Sequence, residues 1–302
     1  MRLRFLFLIF ISSFSFSQEA VKPKFEPVFY QNEGKIFANK SLPIYLSISS
    51  NPDGSEPIVL DTPTNPSDGS PMFLDSEGVN FIRSKWAVNP ETRKIAYPKR
   101  EVLFPVHADG IAPITSITFS VAPHYINKGI NYYGKGLKYS LSSSDKISGV
   151  QSTFKSHDSD YLAYDSSIDV KTEGENTIYY FSVDNVGNTE ETKTSYFVLD
   201  LTPPVSNYIL SDVYGDNILG PTFNIGLESS DNLSGVKRTY YTIDDMSQRV
   251  YGSPIDLSGL SDGPHTLRFY SDDNVKNEEI LKELMFYLDR ISPETKLVVI
   301  GD

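Results

Sequence analysis

The chain has no cysteine, one tryptophan and four methionines among its 302 residues. Without cysteine there is no disulfide, no thiolate nucleophile and no soft metal site. Stability must come from core burial or from a hard cation. Basic charge is also scarce: 27 Lys and Arg stand against 39 Asp and Glu, a net charge of −12. Such a balance excludes the counterion exchange by which proteins hold nucleic acid. It also excludes simple adsorption to anionic lipid. Past the N-terminus no run is apolar enough to span a bilayer, which takes about 20 residues. Helical periodicity is nearly absent, and Glu278 to Leu284 is the only weak helical candidate. No Gly-x-Ser-x-Gly elbow, phosphate loop or dinucleotide fingerprint occurs. His107, His124, His157 and His265 show no metal-type spacing. The Asp158-x-Asp160 and Asp244-Asp245 pairs read as solvated turns and not as acid–base pairs. The chain is therefore not expected to be an enzyme.

What the chain does have is aromatic residues and turn formers. Tyr and Phe number 19 and 18, and Gly and Pro 19 each. Bulky rings suit pleated, half-buried surfaces, so this composition favours many short strands.

The N-terminus carries an export signature. Arg2 and Arg4 precede an apolar run from Phe5 to Ile11, and Ser12 to Ser17 follows. Residues 1–17 read as a signal peptide and 18–28, with Pro23 and Pro27, as a linker.

The rest repeats itself. Ser-Ser-Asp145-Lys-Ile-Ser148-Gly149-Val150 returns 86 residues later as Ser-Ser-Asp231-Asn-Leu-Ser234-Gly235-Val236. Asp184-Asn-Val-Gly-Asn188 returns 89 residues later as Asp273-Asn-Val-Lys-Asn277. Asp109-Gly-Ile-Ala-Pro113, Asp200-Leu-Thr-Pro203-Pro204 and Asp289-Arg-Ile-Ser-Pro293 open successive units. The unit is thus about 90 residues, and repetition on that scale marks a modular array. Seven short strands with turn signals in such a length predict an immunoglobulin-like sandwich. The expected fold is all-β, in tandem Ig-like β-sandwich repeats. The expected division is a divergent repeat at 29–108, repeats at 109–199 and 200–288, and the start of a further repeat or a terminal cap at 289–302. In the first repeat Glu77-Gly78-Val-Asn80 aligns with Glu173-Gly174-Glu-Asn176, and Trp86 falls on the strand that follows.

The third unit carries a resemblance. Asp200-x-Thr202-Pro203-Pro204, Ser230-Asp231-x-x-Ser234-Gly235-Val236, Tyr240-Tyr241-x-Ile243-Asp244, Gly263-x-His265-Thr266-Leu267-x-x-Tyr270-Ser271 and the final Asn277 resemble the bacterial Ig-like surface repeats named after a leptospiral outer-membrane adhesin. The second unit keeps the turns and loses Thr-Pro-Pro and Tyr-Tyr-x-Ile-Asp. The resemblance implies an exported, surface-associated array and adhesion to host or matrix proteins, and exposed tyrosines would suit glycans as ligands. The alternatives are an accessory region of a secreted carbohydrate-active enzyme and an outer-membrane β-barrel.

Two features bear on binding. In a sandwich the B–C and F–G loops share an end with the entering linker. Asp109, Asp145 and Asp184 are therefore expected together, and so are Asp200, Asp231 and Asp273. Three carboxylates form an oxygen-rich site suited to calcium at a repeat junction. The same residues suit a second role, because Asp and Asn cap turns by accepting backbone amides while Gly149, Gly187 and Gly235 supply positive φ. Tyr132, Tyr133, Tyr161, Tyr164, Tyr240, Tyr241 and Tyr251 are candidates for a binding face, with core packing as the alternative.

Overall fold

The computed structural model describes residues 21–302, apart from 46, 49–50, 60–70, 84–86, 89–94, 97–102, 158–159, 211–214, 216, 221–222, 292–293, 297 and 299–302. The signal-peptide residues and Trp86 lie outside the described residues. The described residues are all-β, in Ig-like sandwich repeats, and form two compact units that divide the second repeat between them. One holds residues up to Thr118 with Leu141–Ser166 and Thr177–Ser195; the other holds Phe119–Ser140, Ser167–Asn176 and the chain from Tyr196.

The first repeat contains β1 (Phe29–Asn32), β2 (Lys35–Asn39), β3 (Ser47–Ile48), β4 (Ile58–Val59), β5 (Gly78–Arg83), β6 (Ala87–Val88), β7 (Ile95–Ala96) and β8 (Leu103–Asp109). Its main sheet runs β1-β2-β8-β5, with β2 parallel to β8. Among the described residues its buried core cluster is Ala38, Ile44, Leu74, Val106 and Ala108. The alignment at Glu77 holds in detail. Asn80 Nδ2 donates to the Ser76 and Gly78 carbonyls, as Asn176 Nδ2 does to those of Thr172 and Gly174.

The second repeat contains β9 (Ile114–Phe119), β10 (His124–Asn127), β11 (Ile130–Tyr133), β12 (Lys138–Ser144), β13 (Val150–Ser156), β14 (Leu162–Ala163), β15 (Ile168–Asp169), β16 (Gly174–Asp184) and β17 (Lys193–Leu199). The third contains β18 (Val205–Leu210), β19 (Ile218–Leu219), β20 (Asn224–Ser230), β21 (Val236–Ile243), β22 (Arg249–Val250), β23 (Ile255–Asp256), β24 (Gly263–Asp273) and β25 (Lys282–Leu288). In the third repeat the sheet β18-β20-β23 stands beside the sheet β19-β25-β24-β21-β22. Between them lie Phe223, Ile225, Leu227, Leu267, Phe269, Leu284, Phe286 and Leu288, all buried. These residues alternate along their strands, as period-2 geometry requires. Each large side chain so buried contributes about 1.5–3 kcal/mol.

Matching pairings recur in the second repeat. β13 runs antiparallel to β16 as β21 does to β24, and the register slips at the same place, after Val150 and after Val236. β11 lies parallel to β17 as β19 does to β25. The helical candidate at Glu278–Leu284 is corrected: Lys282–Leu288 is strand, with Leu284, Phe286 and Leu288 inward. Alternating burial decides it, since a helix would turn Phe286 away from the face shared by Leu284 and Leu288.

Residues 21–28, read from sequence as a linker, form no strand before Phe29 but pack on the second repeat. The Phe25 ring lies 5.5 Å from that of Phe154. Lys22 Nζ sits 4.3 Å over the Phe181 ring and donates to the Glu190 carbonyl. The Val28 amide donates to the Val186 carbonyl at 3.1 Å.

Candidate functional site at the repeat joints

Each Ser-Ser-Asp turn is built locally. Asp145 Oδ1 accepts the amides of Ile147 (3.0 Å) and Gly149 (2.8 Å), and Asp231 Oδ1 those of Leu233 (3.1 Å) and Gly235 (2.6 Å). The glycines close these turns at φ 81° and 82°, a conformation that costs a side-chain-bearing residue more. The Asp-Asn-Val-x-Asn turns are built likewise. Asp184 Oδ1 accepts the amides of Val186 and Asn188, and Asp273 Oδ1 those of Val275 and Asn277.

The two turns then lock together. Asn185 Nδ2 donates to the carbonyls of Ser148 and Gly149, and Asn274 Nδ2 to those of Ser234 and Gly235. The aspartate that opens each repeat completes the joint. Asp109 Oδ2 accepts the Ser148 amide at 2.9 Å while Asn188 Nδ2 donates to the Asp109 carbonyl at 3.1 Å. Asp200 Oδ2 accepts the Ser234 amide at 2.9 Å while Asn277 Nδ2 donates to the Asp200 carbonyl at 3.0 Å. Asp109, Asp184, Asp200 and Asp273 are fully buried.

So the structure brings together both expected triads. Oxygens of Asp109, Asp145 and Asp184 lie within 4.8 Å of one another, as do those of Asp200, Asp231 and Asp273. Burial pushes Asp184 up to about 6, against the Asn188 hydrogen bonds and with the Asp109 charge adding to it. Burial raises Asp273 in the same direction. Nearly every carboxylate oxygen here accepts an N–H. Among the described residues Asp145 Oδ2 and Asp231 Oδ2 accept none, and the buried Ser148 and Ser234 hydroxyls have no partner. The donor set suits calcium in charge and oxygen count. An ion would share oxygens that already cap amides.

Several members of the joint escaped sequence reasoning. Asn39 Nδ2 donates to the Val186 carbonyl and to Asn188 Oδ1. At the other joint Gly134 comes so close to Val275 that an added Cβ would lie 2.5 Å from its carbonyl oxygen. Below each joint a glutamate–lysine clasp holds the entering strand. Glu190 accepts the amides of Thr115 and Ser182, and Lys193 Nζ donates to the Thr115 carbonyl. Glu279, Ser206, Ser271 and Lys282 repeat this arrangement. A signal was present: Glu-x-x-Lys recurs 89 residues apart. The hydroxyls of half-buried Ser143 and buried Thr153 and Ser182, and of half-buried Ser229 and buried Thr239 and Ser271, bond to one another.

The other candidates resolve differently. His265 is buried, with Nδ1 2.7 Å from Asp244 Oδ2 and Nε2 2.8 Å from the Ser261 carbonyl. Burial acts against the imidazolium, but these bonds prevail and hold its pKa above the usual value. Asp244 is thus a partner of His265 in a turn. Asp158 lies outside the described residues. Tyr241 and Tyr251 pack against the third repeat's core. Tyr161 covers Phe181 edge-on at 5.1 Å. Tyr240 stacks on Tyr270 at 5.1 Å.

No protein-family model and no curated protein matches the chain. Among solved structures, the fibronectin(III)-like modules of Clostridium thermocellum CbhA align with 61% of this chain and all of theirs, at 12% identity and a TM-score of 0.30.

Proposed function

We propose that the chain is an exported, non-catalytic array of Ig-like modules that serves a bacterial cell surface as a spacer and binding region, with host or matrix proteins or glycans as its ligands. The observation that carries this reading is that two joints, whose corresponding residues stand 86–91 positions apart, use the same hydrogen bonds. Among the described residues a dense set of polar contacts joins one module to the next, and most of its donors and acceptors are spent on each other. The Arg2–Ser17 segment and the leptospiral-type motifs support export. Protease treatment of intact cells tests it: clipping of the mature chain from outside is expected, and a chain found only in the cytosol overturns the reading.

Calcium at the joints is a second element of this proposal, supported by the oxygens lying within 4.8 Å of one another. Calorimetric titration is expected to register two sites and a higher unfolding midpoint with calcium. A midpoint indifferent to calcium and chelator removes the ion and leaves the hydrogen-bonded joint intact.

A further inference from the structure

The face that residues 22–28 cover on the second repeat has a counterpart on the third that no described residue covers in that way. On the second repeat Phe154 and Phe181 stack at 5.2 Å on paired strands, and Phe181 and Val183 are fully buried. On the third, Tyr240 and Tyr270 stack at 5.1 Å in the same register, and Tyr240, Tyr270 and Asp272 are half-buried. The covering side chains differ in kind. Where Tyr161 leans on Phe181, Gln248 donates to the Tyr270 hydroxyl.

Asp272 is the telling difference. It stands where the second repeat has Val183, two residues from Tyr270 on β24 and so on the same face. Its Oδ1 is buried and has no hydrogen-bond partner, although Arg238 stands opposite it on β21. A buried carboxylate oxygen without a donor is costly. A cation between an aromatic ring and a carboxylate relieves that cost and gains the attraction of the ring quadrupole. The chain already places a cation on the equivalent ring: Lys22 lies over Phe181 and donates to the Glu190 carbonyl, followed three residues later by Phe25 on Phe154.

We propose that the Tyr240–Tyr270 face of the third repeat, with Asp272, is a docking site for an extended peptide carrying Lys-x-x-Phe. The lysine sits over Tyr270 and donates to Asp272 Oδ1 and the Glu279 carbonyl, the counterpart of the Glu190 carbonyl that Lys22 meets. The phenylalanine covers Tyr240. The acidic net charge of the chain favours approach of a cationic segment. The proposal rests on the reading of the chain as a non-catalytic binding region and names the chemistry of one ligand. A failed titration removes this site and leaves the spacer reading standing.

The probe is a fluorescently labelled peptide with the sequence of residues 21–28, Val-Lys-Pro-Lys-Phe-Glu-Pro-Val, titrated into the full chain and read by anisotropy. Saturable binding is expected, weakened at least tenfold by Tyr270→Ala, by Asp272→Asn, and by replacing the peptide's first lysine with alanine. Both protein variants alter half-buried outer-face side chains, and unchanged circular dichroism verifies their fold. Absence of saturable binding up to millimolar peptide overturns the proposal. So does binding that survives both variants, or binding abolished by Phe154→Ala, which would place the peptide on the second repeat by exchange with the chain's own strap.

Discussion

The second and third repeats share strand pairing, the register slip at the start of β13 and β21, joint hydrogen bonds and the glutamate–lysine clasp. They differ on one outer face. In the second repeat that face reads Phe154, Phe181 and Val183 and is sealed by residues 22–28; in the third it reads Tyr240, Tyr270 and Asp272 and is left half-open. The same backbone therefore hosts either an internal strap or an accessible aromatic pair, and outward residues at alternate strand positions make the choice. Inward positions have no such latitude, because Ile178 and Leu267, or Tyr180 and Phe269, fill a close-packed interior.

The comparison can be broken most forcefully at Phe181. Phe181→Ala removes a fully buried ring touching Phe154, Tyr161 and Lys22, and is expected to cost about 3–5 kcal/mol in urea unfolding. Tyr270→Ala, on the half-open face, is expected to cost about 1–2 kcal/mol, in line with its partial burial. Equal losses would mean that the strap contributes nothing.

A second test separates the joints by charge. Asp184 has a folded pKa of about 6, raised from 3.8, so the folded state holds its proton more tightly than the unfolded chain does. The contribution is fully present below the unfolded value and is lost as pH rises through about 6. Stability is expected to fall by up to about 3 kcal/mol across that window, and Asp184→Asn is expected to flatten the profile. Asp273 shifts the same way, so Asp273→Asn should flatten the third repeat's share. A profile that rises with pH through this window in the parent chain and is unchanged in both variants would refute the assignment.

The smallest effect sharpens the joint itself. Asp200 is buried and accepts the Ser234 amide, whereas Asp289, which follows the third repeat in the same Asx turn, is exposed. Asp200→Ala leaves a buried amide unpaired and is expected to cost about 1–3 kcal/mol. Asp289→Ala is expected to cost less than about 1 kcal/mol. Hydrogen exchange at the Ser234 amide reports the difference directly: fast in the first variant, unchanged in the second.

Repeat length, strand alternation and turns are legible in the order of residues alone. Phe223, Ile225 and Leu227 announce an inward face by period 2, and Asp145 announces its turn because its partners Ile147 and Gly149 are two and four residues away. Such bonds depend on local geometry, which a motif encodes in one stretch of chain. The convergence of the aspartates was legible too, once the motifs were placed on a sandwich. Tertiary structure alone decided what those carboxylates meet and what covers each outer face. Asn39 finds Val186 across 147 residues and Lys22 finds Glu190 across 168. Neither residue carries a local signature, since an asparagine ending a strand and a lysine before a proline occur as readily without a distant partner. Phe181, Val183 and Asp272 look alike as strand residues until the chain shows which of them a distant segment covers. Long-range partners of that kind come from packing, where shape and the pairing of buried polar groups select among contacts that the local sequence leaves equivalent.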